Sequence, residues 1–499
     1  MSITTETART DVDLKNLDRF YIGGEWVKPS TTATFDVHDP STEELFLTVA
    51  EAQEADVARA AAAARAAFDD GPWPRMTHAE RAGYLRAIGE GFRKRLGEAS
   101  QIWPRESGVL YSLAQSELAG IPDVWDFYAD QAESFPFEEP MAPTAGGSFG
   151  MLVREPVGVV AAIIPWNGPS AQIAFKVAPA LIAGCTVVLK AAPDGPGVAY
   201  LVAEIAESVG LPPGVLNVVT ADREASEALV RDPRIDKVSF TGSTAAGRKI
   251  ASIMGDRIGR YTLELGGKSA AVVLDDADIA SASAELSGSE CFLSGQVCAS
   301  LTRIVVSRKR HDELLESLAS TFAQVRVGDA FDTQSQMGPL VAQRQRERVL
   351  DYIARGKADG ATLATGGGRP ADLDRGWFVE PTVFGNVDNA SAIAQDEIFG
   401  PVLCVIPVED EAAAVRTAND TIYGLNASVF TEDVEKARAV GRQLRSGTVG
   451  HNAFRMDFGM AFGGFKQSGV GREGGREGLL PYLETKTMIL DAVPQDFQA

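Results

Sequence analysis

The sequence predicts an α/β protein with two domains of alternating strands and helices. From Val157 onward, short apolar runs alternate with longer helical segments, which is the pattern of parallel strands joined by crossover helices. A second alternating region runs from about Ala270 to Lys466. The chain has 499 residues, which is too long for one compact core and favours two or three domains.

The first alternating region has the pattern of a doubly wound sheet. Strands and helices joined in this order form a parallel sheet with helices on both faces. Five apolar runs predict strands at 157–164, 186–190, 215–220, 237–241 and 261–265. The segments between them predict helices at 171–183, 198–209, 225–230 and 245–254.

The other segments carry weaker signals. Residues 1–19 are polar and unpatterned, which predicts a flexible tail. An Ala-rich run predicts a helix at 51–68, and Thr77 with Glu80 forms a capping box ahead of a second amphipathic run. In the second alternating region, the apolar runs at 302–306 and 402–408 predict strands.

Charge and composition disfavour several classes of function. The net charge of −21 would repel nucleic acids and anionic membrane surfaces. The longest apolar stretches, such as 157–166, are too short to cross a bilayer, and the polar N-terminus has no signal-peptide core. We therefore expect a cytoplasmic protein. The four cysteines form no CxxC pair, so neither a disulfide framework nor a metal site is expected.

Two glycine motifs could bind a nucleotide. A GxGxxG at Gly469, Gly471 and Gly474 does not follow a strand and leaves little room for a βαβ unit, so we reject it as a dinucleotide fingerprint. Residues 240–247 read FTGSTAAG, where a strand ends in a glycine turn that opens a helix and aims N–H groups at a phosphate. Taken alone, a plain turn with a Ser/Thr cap is the commoner explanation.

Cys298 is the candidate nucleophile, since small and polar neighbours could keep its thiol accessible. A lone cysteine is nevertheless more often an inert buried residue, because reactivity requires a suitable electrostatic environment. Cys185, Cys291 and Cys404 lie within apolar runs, which predicts that they belong to the core.

Glu264 and Asn167 are the other candidates for catalysis. Glu264 ends an apolar strand, where a carboxylate is costly unless it is partnered, solvated or functional. Asn167 follows a strand at the sheet edge that holds ligands, and its amide could donate to an oxyanion. Asn beside Pro is also a common turn residue, so each position has a structural alternative.

Read together and in order, these segments resemble the aldehyde dehydrogenase superfamily over nearly the whole chain. The separation of Glu264 and Cys298 by 34 residues (298 − 264) is also similar to the family's. The matching segments are 165–167 (PWN), 240–244 (FTGST), 263–268 (LELGGK), 295–298 (GQVC), 397–402 (EIFGPV), 462–466 (FGGFK) and 468–473 (SGVGRE).

The resemblance implies oxidation of an aldehyde to a carboxylic acid with a nicotinamide cofactor, NAD or NADP. Cys298 would add to the aldehyde, Asn167 and the Cys298 backbone N–H would hold the oxyanion, and Glu264 would activate water as general base. Lys176 and Glu473 resemble the family's proton-relay positions outside the reacting centre, although each could equally be an ion-pair partner.

The resemblance also implies a set of cofactor-binding residues. Glu397 would hold the nicotinamide ribose, Ser243 the pyrophosphate and Lys190 the adenosine ribose, while Trp166 would line the cleft. The remaining members of the implied cofactor site are Ile164, Gly242, Gly247, Leu265 and Phe399.

Three departures from the family pattern bear on specificity. Pro193 stands where many relatives have the carboxylate that grips a ribose diol, which leaves the preference between NAD and NADP open. Gly168 replaces a frequent Phe, and Gln172 stands where an apolar residue is common. A wider and more polar substrate entrance is expected.

The family fold implies a Rossmann-like cofactor domain, an α/β catalytic domain and a small β arm that pairs subunits into homodimers or homotetramers. The cofactor domain would comprise 20–136 and 156–267, and the catalytic domain 268–467. The arm would comprise 137–155 together with strands of the return segment 468–499.

Two other functions are open from sequence. A non-catalytic structural relative would have lost catalytic residues, whereas Cys298, Glu264 and Asn167 are all present. A cofactor-independent thiol esterase would require a histidine partner for Cys298. The four histidines, His38, His78, His311 and His451, lie in no recognisable dyad pattern.

Overall fold

A computed structural model describes residues 8–497 of the chain. Its strands are β1 (Phe20–Ile22), β2 (Glu25–Val27), β3 (Thr34–His38), β4 (Leu45–Ala50), β5 (Glu138–Met141), β6 (Phe149–Pro156), β7 (Val159–Ile163), β8 (Thr186–Ala191), β9 (Leu216–Thr220), β10 (Lys237–Thr241), β11 (Arg260–Glu264), β12 (Ala270–Val273), β13 (Arg303–Ser307), β14 (Thr362–Thr365), β15 (Thr382–Gly385), β16 (Val402–Val408), β17 (Asn426–Phe430), β18 (Thr448–His451), β19 (Gly469–Val470) and β20 (Leu483–Leu490).

The helices lie before, between and after these strands. They are α1 (Glu54–Asp69), α2 (His78–Lys94), α3 (Leu96–Ser107), α4 (Tyr111–Ala119), α5 (Ile121–Ser134), α6 (Pro169–Ala183), α7 (Gly197–Ser208), α8 (Arg223–Arg231), α9 (Thr244–Asp256), α10 (Ile279–Cys291), α11 (Arg308–Ala323), α12 (Gln343–Ala358), α13 (Ala392–Gln395), α14 (Glu411–Asn419) and α15 (Val434–Gly441).

The larger sheet has eight strands in the order β19-β11-β10-β7-β8-β9-β1-β2. Its five central strands, β11 to β9 in that order, are mutually parallel, and β1 and β19 add antiparallel neighbours at the two sides. The residues of β7, β8, β9 and β10 are all buried, as expected for strands covered by helices on both faces. All five strands predicted for this region are present within two residues of their predicted bounds.

A second sheet of seven strands has the order β14-β15-β16-β13-β12-β17-β18. It is parallel except for the β14–β15 pair. A separate antiparallel sheet pairs β20 with β6 and β6 with β5. This small sheet joins residues from the two segments that the sequence assigned to the arm.

The capping box at the start of α2 forms as predicted. Thr77 Oγ1 accepts a hydrogen bond from the Glu80 backbone N–H at 3.2 Å, and the Glu80 carboxylate accepts from the Thr77 N–H at 2.8 Å. The Ala-rich helix begins three residues later than predicted, at Glu54, because Asp56 bonds back to the Gln53 N–H and fixes the N-cap there.

The predicted flexible tail of 1–19 requires a correction where it is described. Residues 1–7 lie outside the described residues, whereas 8–19 contact the body of the protein. The Arg9 guanidinium pairs with Asp39 at 3.0 Å and with Asp329 at 2.7 Å, and the Thr10 N–H donates to Gln101. Polar composition suggested a free segment, but these polar groups have partners that are distant in sequence.

Within residues 8–497, no helix is both long enough and apolar enough to span a membrane.

Candidate active site

Three neighbouring strands end at one side of a cleft of about 820 Å³. In the parallel pairing, Phe240 lies opposite Ile163, and Thr241 lies opposite Glu264. The carboxyl ends of β7, β10 and β11 are therefore adjacent. Asn167 follows β7, and Gly242 with Ser243 follows β10, so that the residues selected from separate sequence motifs face the same cleft.

The loop that carries Cys298 is held in an unusual backbone conformation. Leu293 and Ser294 have φ of +47° and +55°, a left-handed region that residues with a side chain rarely adopt. Ser294 Oγ donates to the Gly338 carbonyl at 2.7 Å. The Gln296 amide group donates to the Leu293 carbonyl at 3.0 Å and accepts from the Val341 N–H at 2.9 Å. These bonds fix the backbone just before the thiol.

Cys298 is partly accessible through the cleft, whereas Cys185, Cys291 and Cys404 are buried as predicted. Burial of the thiol, followed by the negative charges of Glu397 and Glu264, raises the pKa of Cys298 to about 12. Backbone N–H groups of Cys298 and Ala299 oppose this shift without cancelling it. The surroundings of the thiol therefore favour its neutral form.

Asn167 lines the same cleft as Cys298 and is bonded to the loop that carries the thiol. Its Nδ2 donates to the Gln296 carbonyl at 3.0 Å. A side-chain amide carries two N–H bonds, so the second remains to donate to an oxygen bound near Cys298. The bond to Gln296 fixes the orientation of this donor before any substrate arrives.

Glu264 is a buried carboxyl group, and neither of its oxygens has a hydrogen-bond partner among the described residues. Burial and the nearby charge of Glu473 raise its pKa well above the usual value, while Lys176 and Arg472 act in the opposite direction. Lys176 and Glu473 form an ion pair that is itself buried. The acid therefore lies next to a fixed pair of charges in a poorly solvated pocket.

The other end of the cleft has the features of a nucleotide site. Ser243 caps α9 by accepting the Ala246 N–H at 3.3 Å, so the positive end of this helix faces the cleft. Glu397 accepts the Gly267 N–H at 3.1 Å, and burial raises its pKa to about 7. The rings of Trp166 and Phe399 meet edge to face at 5.7 Å.

Lys190 lies behind this end of the cleft. Its Nζ donates to the Ala221 carbonyl at 3.3 Å, and burial lowers its pKa to about 8. A helix N-terminus and a carboxylate along the groove, with a buried amine behind it, suit the ribose and phosphate groups of a dinucleotide.

The structure separates the predicted site residues into two groups. Those that line the cleft are Trp166, Asn167, Gly242, Ser243, Glu264, Leu265, Cys298, Glu397 and Phe399. Those behind its walls are Ile164, Lys176, Lys190, Gly247 and Glu473. Gly247 is buried where a side chain would collide with Leu265, so its place in the structure is close helix–strand packing.

Sequence reasoning missed one wall of the cleft. Arg344, Gln345 and Arg348 in the first turns of α12 all line it. Gln345 Nε2 donates to the Phe399 carbonyl at 2.6 Å, and Arg348 donates to the Glu397 carbonyl at 2.7 Å. The QRQRER run of α12 reads as a solvated helix, and no local signal shows that it covers a distant loop.

Fold and site together define an α/β enzyme with a candidate cysteine nucleophile in a nucleotide-type cleft. The profile of the aldehyde dehydrogenase family matches residues 26–488. The chain therefore belongs to the aldehyde dehydrogenase family, whose members oxidise aldehydes to carboxylic acids. This confirms the resemblance and the enzyme class predicted from sequence.

Named relatives are similar over almost their full length. Geranial dehydrogenase of Castellaniella defragrans is 42% identical over 471 residues, which cover 94% of this chain and 98% of the relative. Betaine aldehyde dehydrogenase of Bacillus subtilis is 36% identical over 478 residues, which cover 95% and 97%.

Solved structures give the same result. A Mycobacterium tuberculosis aldehyde dehydrogenase in complex with NAD+ is 42% identical with a TM-score of 0.92, covering 97% of this chain and 99% of that one. Aldehyde dehydrogenase C of Pseudomonas syringae, solved with NAD+ and octanal, is 39% identical with the same TM-score and coverage. The predicted fold class, α/β with a Rossmann-like cofactor domain, is confirmed.

The raised pKa of Cys298 predicts how the thiol reacts without a cofactor. Alkylation by iodoacetamide should be slow at pH 7 and should accelerate by about tenfold per pH unit towards pH 10, because only the thiolate reacts. Peptide mass spectrometry should place the first adduct on Cys298. Cys298→Ala provides the control. An alkylation rate that does not change between pH 6 and pH 9 would contradict the assigned environment of the thiol.

Proposed function

We propose that this protein oxidises an aldehyde to the carboxylic acid with NAD+ and that Cys298 is the nucleophile. The observation that carries the proposal is the convergence of Cys298, Asn167 and Glu264 on one cleft that continues into a nucleotide-type groove. The NAD+ complexes of similar structures support the same cofactor for this chain.

The first chemical step forms a covalent adduct. The Cys298 sulfur adds to the aldehyde carbon, and the thiol proton leaves to solvent or to a nearby base. The carbonyl oxygen becomes an oxyanion, which accepts the free N–H of Asn167 and the backbone N–H of Cys298. When bound, NAD+ would accept the hydride whose loss turns this adduct into a thioester.

The second step is hydrolysis of the thioester. Glu264 takes a proton from water as that water attacks the acyl carbon, and the thiolate leaves. Since burial raises the pKa of Glu264, this step should become faster as the pH rises above neutral. Lys176 and Glu473 would act as positioning residues, because their charges set the ionisation of Glu264.

The groove fits the implied cofactor. Ser243 and the N-terminus of α9 would hold the pyrophosphate, Glu397 the nicotinamide ribose and Lys190 the adenosine ribose. Trp166 and Phe399 would flank the bound dinucleotide, with Gly242 and Leu265 lining the groove and Ile164 and Gly247 shaping it from behind. No histidine lines the described cleft, so no observation favours the thiol esterase alternative.

The domain roles follow the two large sheets. Residues 20–136 and 156–267 would bind the cofactor, and 268–467 would carry the nucleophile. The small sheet of β5, β6 and β20 would join subunits, because β5 and β20 present free edges and Met141 and Ile489 are half exposed. The outer strand β18 offers a complementary free edge on the second sheet.

We also propose a cytoplasmic location. The four free cysteines support a reducing compartment.

Glu264→Gln should separate the two half-reactions. Thiol addition and hydride transfer require the thiol, the oxyanion donors and the cofactor, whereas hydrolysis requires a base. Rapid mixing with aldehyde and NAD+ should give a burst of NADH approaching one per active site, followed by turnover reduced about 10²- to 10⁴-fold. Intact mass should show an acyl adduct on Cys298.

Cys298→Ala is the matched control for this experiment. It should bind NAD+ but give neither burst nor adduct. Steady turnover of Glu264→Gln equal to that of the unmodified enzyme would show that Glu264 is not the base.

The groups near the adenosine ribose should discriminate only weakly between NAD+ and NADP+. Pro193 lines the cleft without a carboxylate, and the carboxylate of the next residue, Asp194, is paired with Arg344. Pro193→Glu should raise the ratio of kcat/KM for NAD+ over NADP+, because a carboxylate binds the 2′-hydroxyl and repels a 2′-phosphate. Pro193→Ala removes the ring without adding charge and should not raise the ratio. An unchanged ratio in Pro193→Glu would mean that discrimination lies elsewhere.

Charges on the free edges should disrupt the proposed subunit pairing. The unmodified protein should show a mass of two or four times 53.0 kDa by light scattering after size exclusion. The double variant Val449→Lys/Ile489→Lys should shift the measured mass towards that of the monomer. Leu45 is as exposed as Ile489 but lies on another strand, so Leu45→Lys should not change the mass. A monomeric unmodified protein would refute the arm's role.

A further inference from the structure

Gln172 presents an unused hydrogen-bond donor to the cleft. This residue lies in the first turns of α6 and lines the same cavity as Cys298, Asn167 and Glu264. Its side chain is partly accessible. Within residues 8–497 the amide oxygen accepts from Thr241, and no bond of Nε2 to the protein is seen. A donor that lines a cleft and binds nothing of the protein is placed to bind a ligand.

The orientation of the Gln172 amide follows from its neighbours. Lys176 Nζ donates to Thr241 Oγ1 at 2.7 Å, so this hydroxyl accepts from the ammonium group. Its own proton then donates to Gln172 Oε1 at 2.9 Å. With its oxygen bonded to the Thr241 hydroxyl, the Gln172 amide turns its N–H₂ group away from that hydroxyl. The N–H₂ group is left facing the cavity.

Open space adjoins this donor. A Cβ atom built on Gly168 would meet no other atom within 4 Å. Gly168 follows Asn167, and its carbonyl accepts the Gln172 backbone N–H at 3.0 Å, so this open position lies between two residues that line the cleft.

The surface further along the helix is apolar. Phe175, one turn beyond Gln172, stacks on Phe458 with ring centroids 4.2 Å apart, and Phe458 contacts Phe462 at 4.6 Å. Phe458 and Phe462 belong to one apolar cluster with Cys298, so a single donor near this aromatic surface suits a largely apolar molecule with one acceptor atom. A purely alkyl chain would leave the donor unpaired, which lowers its affinity.

We propose that Gln172 Nε2 and the space over Gly168 form a substrate subsite for a hydrogen-bond acceptor, so that aldehydes with an ether, carbonyl or hydroxyl oxygen along the chain are preferred over alkyl aldehydes of equal length. The proposal rests on the proposed function and names the substrate class for the same site.

The test compares aldehydes that differ by one atom. Straight-chain aldehydes of equal length, with one methylene replaced by an ether oxygen at successive positions, are assayed by NADH formation against the all-carbon parent. For each ether we take the ratio of its kcat/KM to that of the all-carbon parent. With the oxygen at one or two adjacent positions, this ratio should be about 5- to 10-fold higher than at the other positions, which corresponds to one hydrogen bond. In Gln172→Met this maximum should disappear. Gln172→Leu serves as a second apolar variant of different shape.

Gly168→Ala is the matched control. It narrows the space but keeps the donor, so it should lower kcat/KM for branched aldehydes while the ether maximum persists. An ether maximum that survives both Gln172 variants would overturn the subsite. Fluorescence titration measures the NAD+ affinity of Gln172→Met. If this variant loses NAD+ affinity but keeps the ether maximum, the donor serves the cofactor, and the proposed subsite is overturned.

Failure of the subsite is distinguishable from failure of the proposed function. If alkyl aldehydes are oxidised by the unmodified protein but ether oxygens never raise kcat/KM, only the subsite is refuted. If no aldehyde in the series reduces NAD+, the proposed function itself fails.

Discussion

Burial of two ionisable groups in one cleft is the constraint on which the site depends. Glu264 has no hydrogen-bond partner on either oxygen among the described residues, and the partly accessible Cys298 lines the same cleft. Desolvation favours the neutral form of both groups and raises both pKa values. A nucleophile needs the thiolate and a general base needs the carboxylate, so the surroundings must supply positive charge or dipoles. Backbone N–H groups do this for Cys298, and Lys176 with Arg472 does it for Glu264.

The balance at Glu264 is set by an ion pair that is itself costly to bury. Lys176 is completely enclosed and Glu473 nearly so, and two charges in such a place are tolerated only because they are paired. The pair acts on Glu264 in both directions, since Glu473 raises the pKa and Lys176 lowers it. Removing either partner alone would therefore change the ionisation of the base as well as the stability of the core.

The sequence predicted the sheet that positions the site better than it predicted the walls of the cleft. The bounds of β10 match the prediction. Such a strand is a continuous apolar run, which can be recognised from neighbouring residues alone. Cys298, Glu264 and Asn167 could be selected because each departs from its local pattern and all three match family motifs. Arg344, Gln345 and Arg348 could not, because their position over the cleft depends on how α12 packs against a loop some fifty residues away. The contacts of Arg9 were hidden for the same reason.

Helix α6 links the base and the substrate end of the cleft. Gln172 and Lys176 are four residues apart, which places them on one face of the helix, and the Thr241 hydroxyl bonds to both. One hydroxyl thus accepts from the ammonium group that tunes Glu264 and donates to the amide that faces the cavity. A group bound at Gln172 would polarise this hydroxyl, because hydrogen bonds in a chain strengthen one another in a site of low dielectric. In the proposed subsite, a polar substrate group would therefore also bear on Lys176, whose charge lowers the pKa of Glu264.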